Sequence, residues 1–250
     1  MEAAKKSIYD VALIESNDQK QTIDLRQSIV AFEYYEDIFS PVITAKLKIV
    51  NTGNSAFTES DTSKQSLYNG LPLRGGEKLS IRMRPNTPTN ISLDFADQTD
   101  NYFYVSSITD VISETQKESF TLHLVPKEAI TNETVRVNTK YSTSLSIDGS
   151  VEKILKEVLS STRINKIDKT SNKYGFIGNM RKPFTILTWL ASKSVPSTSG
   201  DGTAGFLFYQ TREGFNFRSI DELNKEPSKA TYVYNEISQS YSENNDKINK

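Results

Sequence analysis

His123 is the only histidine of the chain, and cysteine is absent. Any site built on an imidazole base would have to use that one ring, while thiolate metal sites, cysteine nucleophiles and disulfides are excluded. In "FTLHLVP" His123 alternates with Phe120, Leu122 and Leu124, so it occupies the face of a strand opposite those apolar residues. No G-x-S-x-G, H-E-x-x-H or phosphate-loop pattern accompanies it. The carboxylates are no more suggestive. Glu36 and Asp37 are adjacent on an extended segment, point apart and cannot converge on one substrate atom. Asp94, Asp97 and Asp100, in "DFADQTD", lack the alternating oxygen ligands and the glycine of a calcium loop. "GDGTAG", Gly200 to Gly205, spells G-x-G-x-x-G, but a Ser/Thr/Pro-rich stretch precedes it and a strand pattern follows. A dinucleotide site needs the reverse, a strand before and a helix after, so this segment reads as a flexible connection. Glycoside cleavage by two distant carboxylates is the one common chemistry left open.

Charge leaves a surface question instead. Lys46 and Lys48 lie on one strand pattern, Arg82 and Arg84 on another, each set on the predicted solvent face. Were the two strands neighbours, the four would form a positive band suited to a subunit contact or a surface facing DNA. The plainer reading is solvated strand residues that discourage aggregation. Overall, 30 Lys and Arg balance 31 Asp and Glu, which gives no general attraction to nucleic acid or anionic membrane.

The elements that must carry these residues are mostly strands. Ile43, Ala45, Leu47 and Ile49 alternate with Thr44, Lys46 and Lys48, the period of a half-buried strand. Pro41 precedes the run and "NTGNSA" ends it with turn residues. "LSIRMR" repeats the alternation after Gly75-Gly76, and "YFYVSSITDVIS" and "SFTLHLVP" read as a hairpin joined by "ETQK". Residues from about 6 to 126 thus have the profile of an antiparallel barrel or sandwich. The period then changes. Val151, Ile154, Leu155, Val158 and Leu159 share one face of a predicted helix capped by Asp148 or Ser150. A second helix is predicted from Pro183, burying Ile186, Leu187, Leu190 and Ala191. Between them "RINKIDKTSNKYGFIGN" reads as a strand and a polar excursion; "FLFYQT" and "FNFRSI" read as a hairpin, and "YVYNEI" as a further strand.

At 250 residues the chain has room for a sizeable core. The N-terminus shows no apolar core of a secretory signal, and "FTILTWLA" is far shorter than the ~20 residues a bilayer span needs. The fold class expected is mainly β with two short helices (α+β). The predicted parts are an N-terminal β-barrel over residues 1–130, a helix-containing connection over 131–203, and a hairpin opening a second, incomplete barrel over 204–250.

Two phrases carry a resemblance over nearly the whole chain. "EYYEDIFSPVITAKLKIVNTGN" resembles the N-terminal barrel of the central baseplate hub protein of T-even-type contractile-tail phages. "RKPFTILTWLASKSVP" with "GTAGFLFYQTREGFNFRSIDEL" is similar to that family's later segment, and the same order of elements occurs in the N-terminal hub region of type VI secretion spike proteins. The resemblance implies a non-enzymatic, homotrimeric virion protein of the tail baseplate, assembled in the host cytoplasm without membrane insertion. It implies a ring that adapts the hexameric tail tube to the trimeric spike, with baseplate wedge proteins as neighbours. Tape-measure protein and DNA would occupy its lumen only transiently. No cofactor or metal is implied. Tyr34, Tyr35 and Phe39 then become core anchors or interface aromatics. In the family the second barrel runs on past the "FRSIDEL" hairpin, whereas this sequence stops at "SENNDKINK", consistent with a fragment or a short hub. The alternatives are a type VI or other contractile-injection spike hub and, from different classes, a tail-associated glycan hydrolase or a receptor-binding tail module.

Overall fold

The computed structural model describes residues 7–228 and 231, apart from 19–20, 53–55, 59–60, 66, 72, 86–91, 97–100, 115–116 and 198–204. The predicted strand "YVYNEI" and most of "GDGTAG" therefore lie outside the described residues, as do Asp97 and Asp100.

The first half is an antiparallel sheet. Its strands are β1 (Ile8–Glu15), β2 (Thr22–Asp24), β3 (Ile29–Tyr35) and β4 (Thr44–Thr52), then β7 (Lys78–Arg84), β8 (Leu93–Phe95), β9 (Phe103–Ser113) and β10 (Lys117–Pro126). The short β5 (Ala56–Thr58), β6 (Asp61–Gln65) and α1 (Leu67–Gly70) lie between β4 and β7. The sheet runs β2-β1-β7-β9-β10-β4-β3, with β8 paired to β7, and it curls into a half-barrel. Its inner face is built by the predicted alternation: Ile43, Ala45, Leu47 and Ile49 are buried, while Thr44, Lys46 and Lys48 are exposed. The β9–β10 hairpin is the predicted one, and it places Phe103, Phe120, Leu122 and Leu124 in the same core. Asp110, at φ 55°, marks the irregularity in this hairpin where the register shifts between Ser119 and Thr121.

Helices begin directly after β10. α2 (Lys127–Thr134) follows Pro126 without a break. α2 has no periodic signature, because its polar "KEAITNET" carries no apolar stripe. α3 (Ile147–Lys153) runs on as a π-helical turn over Ile154–Val158. Ser146, not Asp148 or Ser150, is its N-cap; Asp148 is the second residue of the helix, where its buried carboxylate accepts from Thr170 Oγ1 (2.8 Å) and Lys169 Nζ (2.9 Å). α4 (Pro183–Ala191) starts at Pro183 as expected and buries Ile186, Leu187, Leu190 and Ala191. A two-stranded sheet pairs β11 (Lys140–Tyr141) with β13 (Phe176–Ile177).

The last sheet has the order β12-β15-β14. β14 (Phe206–Thr211) and β15 (Gly214–Ser219) form the predicted hairpin, and β12 (Ile164–Ile167) joins β15 in parallel. Every residue of β15 is buried, and α5 (Ile220–Lys225) follows it. Two hydrophobic clusters result. One fills the curled sheet, and the other joins α3 and α4 to the β14–β15 hairpin through stacked Phe208 and Phe215 and the neighbouring Phe206 and Phe217.

Candidate interaction site

The segment from Tyr34 to Ile43 joins those two cores. β3 delivers Tyr34 inward, where its ring packs on Phe95 (centroids 5.6 Å) and Phe103 (6.4 Å). Its hydroxyl donates to Glu36 Oε1 (2.6 Å), and burial followed by that carboxylate pushes its pKa up. The same Glu36 oxygen accepts from the backbone N–H of Arg212 (2.5 Å) at the tip of the β14–β15 hairpin. Further along, Ile43 N–H donates to the buried Gln210 Oε1 (3.3 Å), and Val42 packs on the second cluster. Arg163 crosses from the other side, its guanidinium 5.7 Å from the Phe95 ring centre and bonded to the Arg212 carbonyl. Burial lowers its pKa. Gly214, at φ +132°, permits this approach, since a Cβ there would sit 2.6 Å from the Arg163 carbonyl oxygen.

Beside this junction opens a cleft of about 640 Å³. Glu36, Arg84, Asn216, Arg218 and Glu226 are among its lining residues. Its buried charge is matched: Arg218 donates to Asp168 (3.0 Å) and Glu226 (2.7 Å), and Lys166 also reaches Glu226 (3.1 Å). Arg218, then Lys166, hold the Glu226 carboxyl down to about 2. A carboxylate depressed below its ordinary 4.5 contributes stability above that value and loses it as pH falls through the folded one. The expected result is a contact intact at pH 5 and lost between about pH 4.5 and 2. Unfolding midpoints measured at pH 7, 4 and 2.5 should therefore show a smaller acid drop for Glu226→Gln than for the unaltered chain.

The other candidates separate. Tyr35 and Phe39 are not core residues; they are 44% and 79% exposed. β4 and β7 are not neighbours, because the β9–β10 hairpin inserts between them, so Lys46 and Lys48 form no continuous band with Arg82 and Arg84. Arg82 instead pairs with Asp94 (2.6 Å) and Arg84 with Asp10 (3.0 Å), while Lys46 faces Glu33 across the strands. His123 Nε2 meets Thr109 Oγ1 (3.0 Å), whose proton goes to Asp110 (3.2 Å). The carboxylate therefore touches the hydroxyl and not the ring, which is not the order that turns a hydroxyl into a nucleophile. Glu36 and Asp37 serve different partners, the latter accepting from Phe39 N–H (2.8 Å). Glu118 is likewise engaged, accepting from Asn51 (2.7 Å) and from the backbone N–H of Leu67 and Tyr68. Among the described residues, no three His, Asp or Glu side chains converge to hold a metal, and no helix is long and apolar enough to cross a membrane.

No family profile and no curated protein sequence matches the chain. Solved structures do. The 43 kDa tail protein of prophage MuSo2 from Shewanella oneidensis matches 83% of this chain with a TM-score of 0.52 and 8% identity. The fold is that of a phage tail protein. This chain covers 54% of the length of that protein. An E. coli component of the type VI secretion system, described as structurally similar to two tail proteins of bacteriophage T4, matches 82% of the chain and 48% of its own, at TM-score 0.44 and 12% identity. A tail protein from Neisseria meningitidis MC58 matches 84% of the chain and 50% of its own, at TM-score 0.44 and 8% identity.

Of the junction, sequence reasoning singled out Tyr34 and Glu36 but missed Arg163, Gln210, Arg212 and the Asp168–Arg218–Glu226 group. The available signal was Asn216 and Arg218 alternating with Phe215 and Phe217 in the "FNFRSI" strand.

Proposed function

We propose that the chain is a structural subunit of a phage tail, in the central hub of the baseplate. In this reading three copies form a ring between the hexameric tail tube and the trimeric spike, beside baseplate wedge proteins. Its channel passes tape-measure protein and DNA, and the chain itself carries no catalysis. The observation that carries the reading is the shared fold, a curled antiparallel half-barrel followed by helices and a second small sheet, over 83% of the chain. Two features agree with it. Among the described residues, the terminal strands β2 and β3 leave sheet edges that another copy can cover. Of the carboxylates lining the junction cleft, Glu36 and Glu226 are engaged in structural bonds rather than held free for acid–base work.

The test is native mass by light scattering across a concentration series, alone and with the tube and spike proteins of the same tail. A trimer is the expected result. A chain that stays monomeric even with both partners, or one that clears cell-wall glycan unaided, would overturn the reading.

A further inference from the structure

Two exposed surfaces on this chain carry apolar side chains among charges of opposite sign. The first is a knob. The turn after β3 carries Ile38 and Phe39 outward, 47% and 79% exposed. It is held by Asp37, whose side chain accepts from Phe39 N–H (2.8 Å) and whose carbonyl accepts from Ser40 N–H (3.0 Å). The knob is thus fixed before any contact is made, which lowers the entropy lost on docking. Glu36 and Asp37, both exposed, give it an acidic surround, while the exposed Glu33 further back on β3 faces Lys46.

The second surface is a socket. Phe176 and Trp189 meet edge-on (centroids 5.6 Å) beside a depression of about 200 Å³, large enough for one aromatic ring. Ile177 separates it from a second depression that Phe176 and Lys140 also line. Asn179 and Met180 form the lip, both with left-handed backbone (φ 48° and 56°), a conformation that costs energy outside glycine. Val137 holds that turn, accepting from Met180 N–H (2.9 Å) and donating to the Arg181 carbonyl (3.0 Å). Met180 is 62% exposed and Ile177 57%, an apolar surface with no cover among the described residues. Lys140 and Arg181 line the two depressions and Lys173 stands exposed nearby; no carboxylate lines either depression. None of the three cations has a salt-bridge partner among the described residues.

We propose that the occupant of the socket is the Ile38–Phe39 knob of a second copy of this chain. The acidic surround of the knob would meet the basic rim of the socket while Phe39 enters beside Trp189. Such a contact joins two different surfaces, so each copy keeps one knob and one socket free, and repetition closes a ring or extends a filament. The inference rests on the self-assembling reading above and names the surfaces that would do the joining.

The absence of native cysteine makes the test clean. Chains carrying only Ile38→Cys, which keep the Phe39 ring, are mixed with chains carrying only Met180→Cys under mild oxidation. A mixed disulfide far exceeding either self-pair is expected. Phe39→Ala, and separately Arg181→Glu with Lys140→Glu, should weaken self-association at least tenfold, with thermal melts unchanged because these sites are exposed. Assembly by light scattering without the mixed disulfide overturns the contact but leaves the ring. A mixed disulfide in dimers or filaments supports the contact and overturns the trimeric ring. No mixed disulfide at the highest concentration overturns the contact, and no assembly even with the tube and spike proteins added overturns the ring as well.

Discussion

Asp168→Ala is expected to lower the unfolding free energy by about 3 kcal/mol, the lower end of the cost of breaking a buried ion pair from one side. Asp168 and Arg218 are nearly enclosed, and Asp168 Oδ2 accepts from both the Arg218 guanidinium and Ser219 N–H, each at 3.0 Å. Removing the carboxylate strands a guanidinium inside the strand that forms the floor of the second core. Glu226 still faces it at 2.7 Å, which keeps the loss from the upper end of the range. Burial alone would lower the Arg218 pKa, but Glu226 and Asp168 raise it, so the arginine stays charged and cannot escape by losing its proton. Denaturant titration of Asp168→Ala checks the size of the loss. Asp168→Ala with Arg218→Met should recover most of it, since no buried charge then remains. A double variant no more stable than the single one would mean that the loss comes from Ser219 N–H and the strand end.

Phe217→Ala is expected to cost about 3–5 kcal/mol, the usual price of deleting a fully enclosed aromatic ring and leaving a cavity. Phe217 is fully buried, 4.9 Å from the Phe206 ring and opposite Phe208 on the paired strand, so two rings lose a neighbour at once or shift to fill the gap. A loss of that size lowers the melting temperature by roughly 6–20 °C in a chain of this length. Trp189 is the sole tryptophan and packs against the same cluster, so its fluorescence reports this core directly. Far-UV circular dichroism follows both sheets. If the two cores unfold separately, the fluorescence midpoint falls while part of the dichroism transition stays in place. If the junction through Glu36, Gln210 and Arg163 couples them, both signals move together.

The contrast with Phe39→Ala is instructive. That ring is as large as Phe217, yet its removal should change stability by less than about 0.5 kcal/mol. The difference lies wholly in burial, which sequence cannot assign to a phenylalanine in a turn.

What the sequence determined by itself were the locally encoded features. Period-two alternation specified β4, β7 and β10 and which of their faces is buried, because strand geometry sends successive side chains to opposite sides. Pro183 and the apolar spacing after it specified α4, and turn residues specified the β9–β10 and β14–β15 hairpins. α2 escaped, since a helix that buries Glu128 and Asn132 shows no apolar stripe.

Only the tertiary structure decided which strands are neighbours. Antiparallel order depends on contacts between residues far apart in the chain, and inserting β9–β10 between β4 and β7 divided a presumed positive band into separate pairs. The parallel seating of β12 on β15 is equally nonlocal. So is the fate of "EYYEDIF": one face of the phrase seals two cores through Tyr34 and Glu36, while Phe39 points into solvent. Adjacent residues of one extended segment were certain to diverge; what each would meet depended on where a hairpin more than 170 residues downstream came to rest.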